Sequence, residues 1–273
     1  MRRSMLAVLC LAAAVPVLAS EEAVTFGEKD AASGFLVTPE GKGPSPAVVV
    51  IQEWWGLDAW VKDQARALAK EGYVALAVDL YRGKVTDKAD EAHQYMMGLP
   101  EDRAVADLKA GVDFLAARKD VKTDAIGVIG WCMGGKYALK LATVEPRLAA
   151  VVAYYGAPPE ESAQANIKAP VLGNYGGDDK GPSPEQAKAF EASMKKAGKS
   201  IDLKIYDGAP HAFANPNNPW KGYRPEAAKD AWSRTVAFFD QNLKGKKAPA
   251  KADDKKPAET KPAETKAKPE TKK

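Results

Sequence analysis

The 273-residue sequence is poor in cysteine and histidine, with only two of each. Cys10 lies in an apolar leader, so Cys132 is the single cysteine of the body, which excludes an intramolecular disulfide framework. The apolar run over residues 5–18 falls short of the ~20 residues a membrane-spanning helix needs, and the acidic pair Glu21-Glu22 follows it at once. Arg2 and Arg3 precede this run, and small residues (Val17, Ala19, Ser20) close it. Residues 1–20 therefore read as a secretory signal peptide cleaved after Ala19. Leu9 is bulky where a lipoprotein signal places a small residue, which disfavours lipidation of Cys10. Export, to a periplasm or to the medium, is expected. A lone thiol in an oxidising compartment calls for a reason.

The other end lacks any aromatic or β-branched aliphatic residue. Residues 244–273 repeat a PAETK unit and carry 11 Lys against 5 acidic residues. Such a segment buries too little apolar area to offset its ordering entropy and reads as a disordered tail. Its charge, with the two leader arginines, exceeds the formal +4 of the whole chain, so the body itself is net acidic. The basic balance thus says nothing about the body, and no nucleic-acid partner is expected. The tail can reach an anionic envelope surface, although a solvated tail is the simpler reading.

Residues 21–243 suit one sizeable core, expected to act as a monomer, with no internal repeat or boundary. Continuous apolar runs at 47–52, 73–79, 125–130, 149–155 and 170–175 predict buried strands, and IDLKIY at 201–206 predicts a further strand. Helix-period segments lie between them: 60–71 (Val61, Ala65, Leu68 and Ala69 on one face), 105–117, 133–143, 185–196 and 225–243. This alternation predicts a mostly parallel sheet with helices on both faces, and an opening hairpin over 24–37 adds antiparallel strands at one edge. Ligands should sit beyond the carboxyl ends of the strands.

The strongest local signal is IGVIGWCMGG at 126–135, where a buried strand runs into Gly130-Trp131-Cys132-Met133-Gly134 and then a helix. This is a G-x-nucleophile-x-G elbow with cysteine as the nucleophile. Side chains two positions either side of the nucleophile would strike neighbouring backbone, so both positions are glycine. The helix start favours a thiolate and aims the Met133 N–H at a developing oxyanion. The thiol needs a base. His93 lies in a short amphipathic segment and reads as a surface residue, whereas His211 lies in a Gly/Pro-rich loop after the last strand, where this triad order places it. The orienting acid should lie between them, and NYGGDDKGPSP at 174–184 offers Asp178 and Asp179. Glu53, at the end of a buried strand beside Trp54 and Trp55, should have a raised pKa and be able to exchange a proton with a thiol.

Taken together, QEWWGL (52–57), VDLYRG (78–83), GWCMGG (130–135), YGGDD (175–179) and GAPHAFAN (208–215) resemble the dienelactone hydrolase family. That family is the cysteine branch of the α/β-hydrolases, and the likeness extends over roughly residues 24–243. The resemblance implies an α/β-hydrolase fold that hydrolyses a small ester or lactone without cofactor or metal. It implies His211 as base and Asp179, three residues after Gly176, as acid. It implies Glu53 as the resting partner of the thiol, and Trp54 as the second oxyanion N–H donor beside Met133. Arg82, Trp55, Phe213 and position 215 fall where substrate-binding residues are expected. The family pattern wants an arginine one residue after Arg82 and another at 215, where this chain has Asn215. Arg224, Lys221 and Lys180 are near in sequence, as are Trp220 and Tyr223 for a pocket mouth. Competing readings are a non-catalytic exported binding protein and a redox-sensing thiol on the same fold.

Overall fold

The computed structural model describes residues 19–27, 31–41 and 43–245. The expected leader up to residue 18 and the expected tail beyond residue 245 lie outside the described residues.

Eight strands form one sheet: β1 (Ser20–Phe26), β2 (Ala32–Thr38), β3 (Ser45–Ile51), β4 (Val74–Asp79), β5 (Val121–Trp131), β6 (Leu148–Tyr154), β7 (Val171–Gly176) and β8 (Ile201–Tyr206). Their order is β1-β2-β4-β3-β5-β6-β7-β8. The β1–β2 hairpin and the β2–β4 pair are antiparallel, and every pairing from β4 to β8 is parallel. The helices are α1 (Ala59–Lys70), α2 (Ala89–Met97), α3 (Glu101–Ala116), α4 (Met133–Ala142), α5 (Glu161–Gln164), α6 (Pro184–Lys196) and α7 (Pro225–Leu243). The sequence pattern predicts all of these except α5 and α2, whose segment reads only as amphipathic.

Strand residues alternate between two cores. Val48 and Val50 face a layer with Leu68 of α1 and Phe239 of α7, while Ala47, Val49 and Ile51 face Leu108 of α3, Leu141 of α4 and Met194 of α6. A strand buried on both faces needs a continuous apolar run, which is why the runs were readable. Local helix starts are explicit. Asp58 caps α1 by accepting the Val61 N–H at 2.9 Å, and Ser183 with Gln186 forms a capping box on α6.

The chain leaves β3 toward β4 on one side and returns to β5 on the other. The crevice at such a switch point lies past the carboxyl ends of β3 and β5. Ile51 pairs with Gly130, and Trp131 with Tyr154, so residues 52–54, 131–133 and 155–156 emerge side by side.

Candidate active site

Cys132 stands between β5 and α4 with φ 54° and ψ −117°, a left-handed conformation that a side-chain-bearing residue adopts only under constraint. Its N–H donates to the Tyr154 carbonyl at 3.0 Å, and its own carbonyl accepts from the Lys136 N–H at 3.1 Å. A Cβ at Gly130 would strike the Gly134 carbonyl, and one at Gly134 would strike the Ile51 and Gln52 carbonyls. The glycines therefore let α4 start against the end of β3. Met133 is the first residue of α4, where an N–H has no intrahelical acceptor. Trp54 follows β3 in a turn, and its N–H has no backbone acceptor among the described residues.

The loops after β7 and β8 are stitched together. The Gly177 N–H donates to the Tyr206 carbonyl at 2.8 Å and the Asp178 N–H to the Ala209 carbonyl at 3.0 Å. Gly176 has no room for a Cβ against the Ala209 carbonyl. This stitching brings Asp179 Oδ2 to 2.7 Å from His211 Nδ1, while Asp179 Oδ1 accepts the Gly181 N–H at 2.8 Å. Asp179 is buried and Asp178 exposed, so Asp179 is the carboxylate brought to the imidazole. Burial alone would lower the His211 pKa. Hydrogen bonds to Asp179 and to Cys132, with the charges of both, outweigh it and push the pKa up to about 10. The carboxylate of Asp179 thus favours the protonated ring. His93 is exposed on α2, away from this cluster.

Glu53 is buried, and burial raises its pKa to about 7 despite two hydrogen bonds that favour the carboxylate. Tyr155 Oη donates to Oε1 at 3.1 Å and Asn215 Nδ2 to Oε2 at 2.8 Å. Asn217 N–H donates to Asn215 Oδ1 at 2.8 Å, which fixes the amide orientation. Here the structure departs from the expectation that Glu53 holds the thiol. Its hydrogen-bond partners are Asn215 and Tyr155, whereas Cys132 shares its cleft with His211. Tyr155 went unread because it is simply the residue after a buried strand. It has φ 38°, packs edge-on to His211 at 5.1 Å, and its hydroxyl pKa is raised by burial and by the charges of Glu53 and Cys132.

A cleft of about 370 Å³ reaches Cys132 and His211, walled by Met96, Met97, Leu99, Tyr137, Tyr155 and Pro182. On the other side of His211 a second cleft, of about 400 Å³, is lined by Asp179, Lys180, Pro210, Asn218 and Trp220. Four residues expected at the substrate stand elsewhere. Arg82 reaches from the end of β4 to α3, where its guanidinium pairs with Asp107 at 2.9 Å. Phe213 is fully buried among Tyr154, Tyr155 and Tyr206. Asn215 is taken up by Glu53. Trp55 is buried against Trp54 and Trp220 and borders a separate cavity of about 150 Å³. Arg224 turns back to backbone carbonyls, including Gly208 at 3.1 Å.

An eight-stranded, mostly parallel sheet with helices on both faces and a glycine-flanked strand-to-helix elbow bearing Cys132 at its switch point defines an α/β-hydrolase. Within that class the chain belongs to the dienelactone hydrolase family, whose model matches residues 32–243. It is similar to Protein usf of Aquifex pyrophilus, 36% identical over 218 residues that cover 77% of this chain and 93% of that one. It is also 32% identical over 227 residues (78% of this chain, 90% of the other) to a Bradyrhizobium protein named "Probable 2-oxo-3-(5-oxofuran-2-ylidene)propanoate lactonase". Among solved structures, a dienelactone hydrolase-like promiscuous phosphotriesterase from metagenomic libraries superposes with a TM-score of 0.76 at 26% identity, covering 82% of this chain and 99% of that one.

Proposed function

We propose that the protein is an exported hydrolase that cleaves a small ester or lactone through a Cys132-His211-Asp179 triad and a thioester acyl-enzyme. The observation that carries this reading is His211, bonded to buried Asp179 and facing the same cleft as Cys132 of the elbow. The sulfur of Cys132 attacks the carbonyl carbon, and the oxygen takes the charge between the Trp54 and Met133 N–H groups, a donor there being worth about 2.7–4 kcal/mol. The His211 imidazolium protonates the departing alkoxide as the C–O bond breaks, leaving the thioester and a neutral ring. His211 then takes a proton from water, which attacks the thioester; collapse releases the carboxylic acid and returns the proton and sulfur to their resting state. Asp179 holds the ring in one tautomer throughout. A thiolate leaves as readily as it attacks, so activated esters and lactones suit it better than amides.

The test is hydrolysis of p-nitrophenyl acetate with intact-mass detection of the acylated protein. Wild type should acylate and turn over, and Cys132→Ala should do neither with its unfolding temperature kept. Turnover unchanged in Cys132→Ala would sink the triad. Export rests on the leader sequence, and recovery of protein beginning at Ser20 from the periplasm or medium is the expected result, whereas an uncleaved cytosolic product would refute it.

A further inference from the structure

Two clefts meet at His211, and they are not equivalent. Cys132 lines the first and not the second, whereas His211 and Gly181 line both. The second, of about 400 Å³, falls within the range of ligand sites, about 300–1,000 Å³. Its apolar surface comes from Pro210 and Trp220, and Trp220 is 59% exposed. An indole that open is an unusual placement for so large an aromatic side chain. It is nevertheless held in place. Its ring rests on Trp54 at 5.7 Å and on Trp55 at 5.6 Å, and its backbone N–H donates to Asn218 Oδ1 at 2.9 Å. The same loop is pressed against the base, since a Cβ at Gly222 would come within 3.1 Å of the His211 carbonyl oxygen.

We infer that the second cleft takes the alcohol half of the substrate, that this half is an aromatic ring, and that Trp220 selects it by stacking. This rests on the hydrolase reading above and narrows it to aryl esters. The acyl carbon becomes bonded to the Cys132 sulfur, so the acyl half belongs to the first cleft, where Cys132 is. The ester C–O bond breaks as His211 protonates the departing oxygen, so the alcohol half leaves on the side of His211 that Cys132 does not line. A ring laid on an indole already held in place gains stacking beyond its buried area, about threefold to tenfold in rate. A saturated alkyl group gains the area contribution alone.

The experiment compares phenyl acetate with hexafluoroisopropyl acetate by titrating the acid released. Their alcohols are of similar acidity and their acyl-enzyme is the same, and each rate is divided by that of hydroxide with the same ester. Wild type should favour the phenyl ester about threefold to tenfold in kcat/KM. Trp220→Ala should erase that preference, and Trp220→Phe, which restores a ring, should recover most of it. Decay of the acetyl-enzyme, followed by rapid-quench intact mass, should change less than about twofold in Trp220→Ala, because the alcohol has already left. A preference that survives Trp220→Ala would overturn the role of Trp220. A fall shared by both esters and by deacylation would also overturn it, and would trace the loss to the Trp54 turn. No preference for the phenyl ester in wild type would overturn the aryl assignment, while turnover that still requires Cys132 would leave the hydrolase reading standing. No Cys132-dependent turnover of either ester would overturn both.

Discussion

Asn215 donates its side-chain amide to the buried carboxylate of Glu53 at 2.8 Å, joining residues 162 positions apart in the chain. Asn215→Ala removes one of the two donors that this carboxylate has among the described residues. A buried acceptor left short of a partner costs about 1–3 kcal/mol. The cost should be larger at pH 8 than at pH 5, because only the ionised carboxylate needs both donors. Urea unfolding at the two pH values checks this, and an equal loss at both would show that Glu53 does not sense the amide.

Glu53 itself should make stability depend on pH. Its proton is held more tightly in the fold, with a pKa near 7 against an ordinary 4.5. Between those values the native state carries more protons than the unfolded one, so stability falls as pH rises, by on the order of 3 kcal/mol in full above pH 7. Glu53→Gln should therefore raise the unfolding temperature at pH 8, with the gain fading as pH approaches 4.5. A gain at low pH but none at pH 8 would contradict the sign.

Asp179→Asn should lower kcat/KM roughly a thousandfold by freeing the wrong tautomer of His211. It should also bring the His211 pKa down from about 10, since one of its two supports is gone. NMR titration of the ring measures the second effect independently of rate. Asp178→Asn, on an exposed side chain, should change either quantity by less than about twofold. If the two substitutions behaved alike, the assignment of the acid would fail.

Gly134→Ala tests the contact between α4 and β3. The added methyl meets the Ile51 and Gln52 carbonyls, and relief requires moving α4 away from the turn that carries Trp54. A loss of about 2–4 kcal/mol, of the overpacking kind, should accompany at least a hundredfold loss of kcat. Full activity with reduced stability would mean that the two N–H groups do not act together.

The sheet was legible because each central strand feeds two cores and must be apolar throughout, and the elbow because its glycines answer a clash two residues away. Loop position after β7 and β8 points to His211 and to the pair Asp178 and Asp179, and the family resemblance singles out Asp179. The residues misread were those whose partners lie far off in sequence. Nothing near Asn215 points to Glu53, nothing near Arg82 points to Asp107 on α3, and Phe213 shares its loop with His211 yet turns into the core. Tyr155 looked like any strand-end tyrosine until β6 and β3 were set side by side. Helix α2 escaped because its face toward the protein has few apolar residues, with Ala92 alone fully buried.

Three of the six tryptophans lie together at the proposed oxyanion turn. The ring centroids of Trp54, Trp55 and Trp220 are 5.0–5.7 Å apart, and Trp220 is 59% exposed. Indoles that close share their excited states, so emission and near-ultraviolet circular dichroism report the trio as a unit. A ligand that shifts Trp220 on its two neighbours alters that signal without any label. Acylation and deacylation can thus be timed separately in stopped-flow fluorescence, even for esters whose products are colourless.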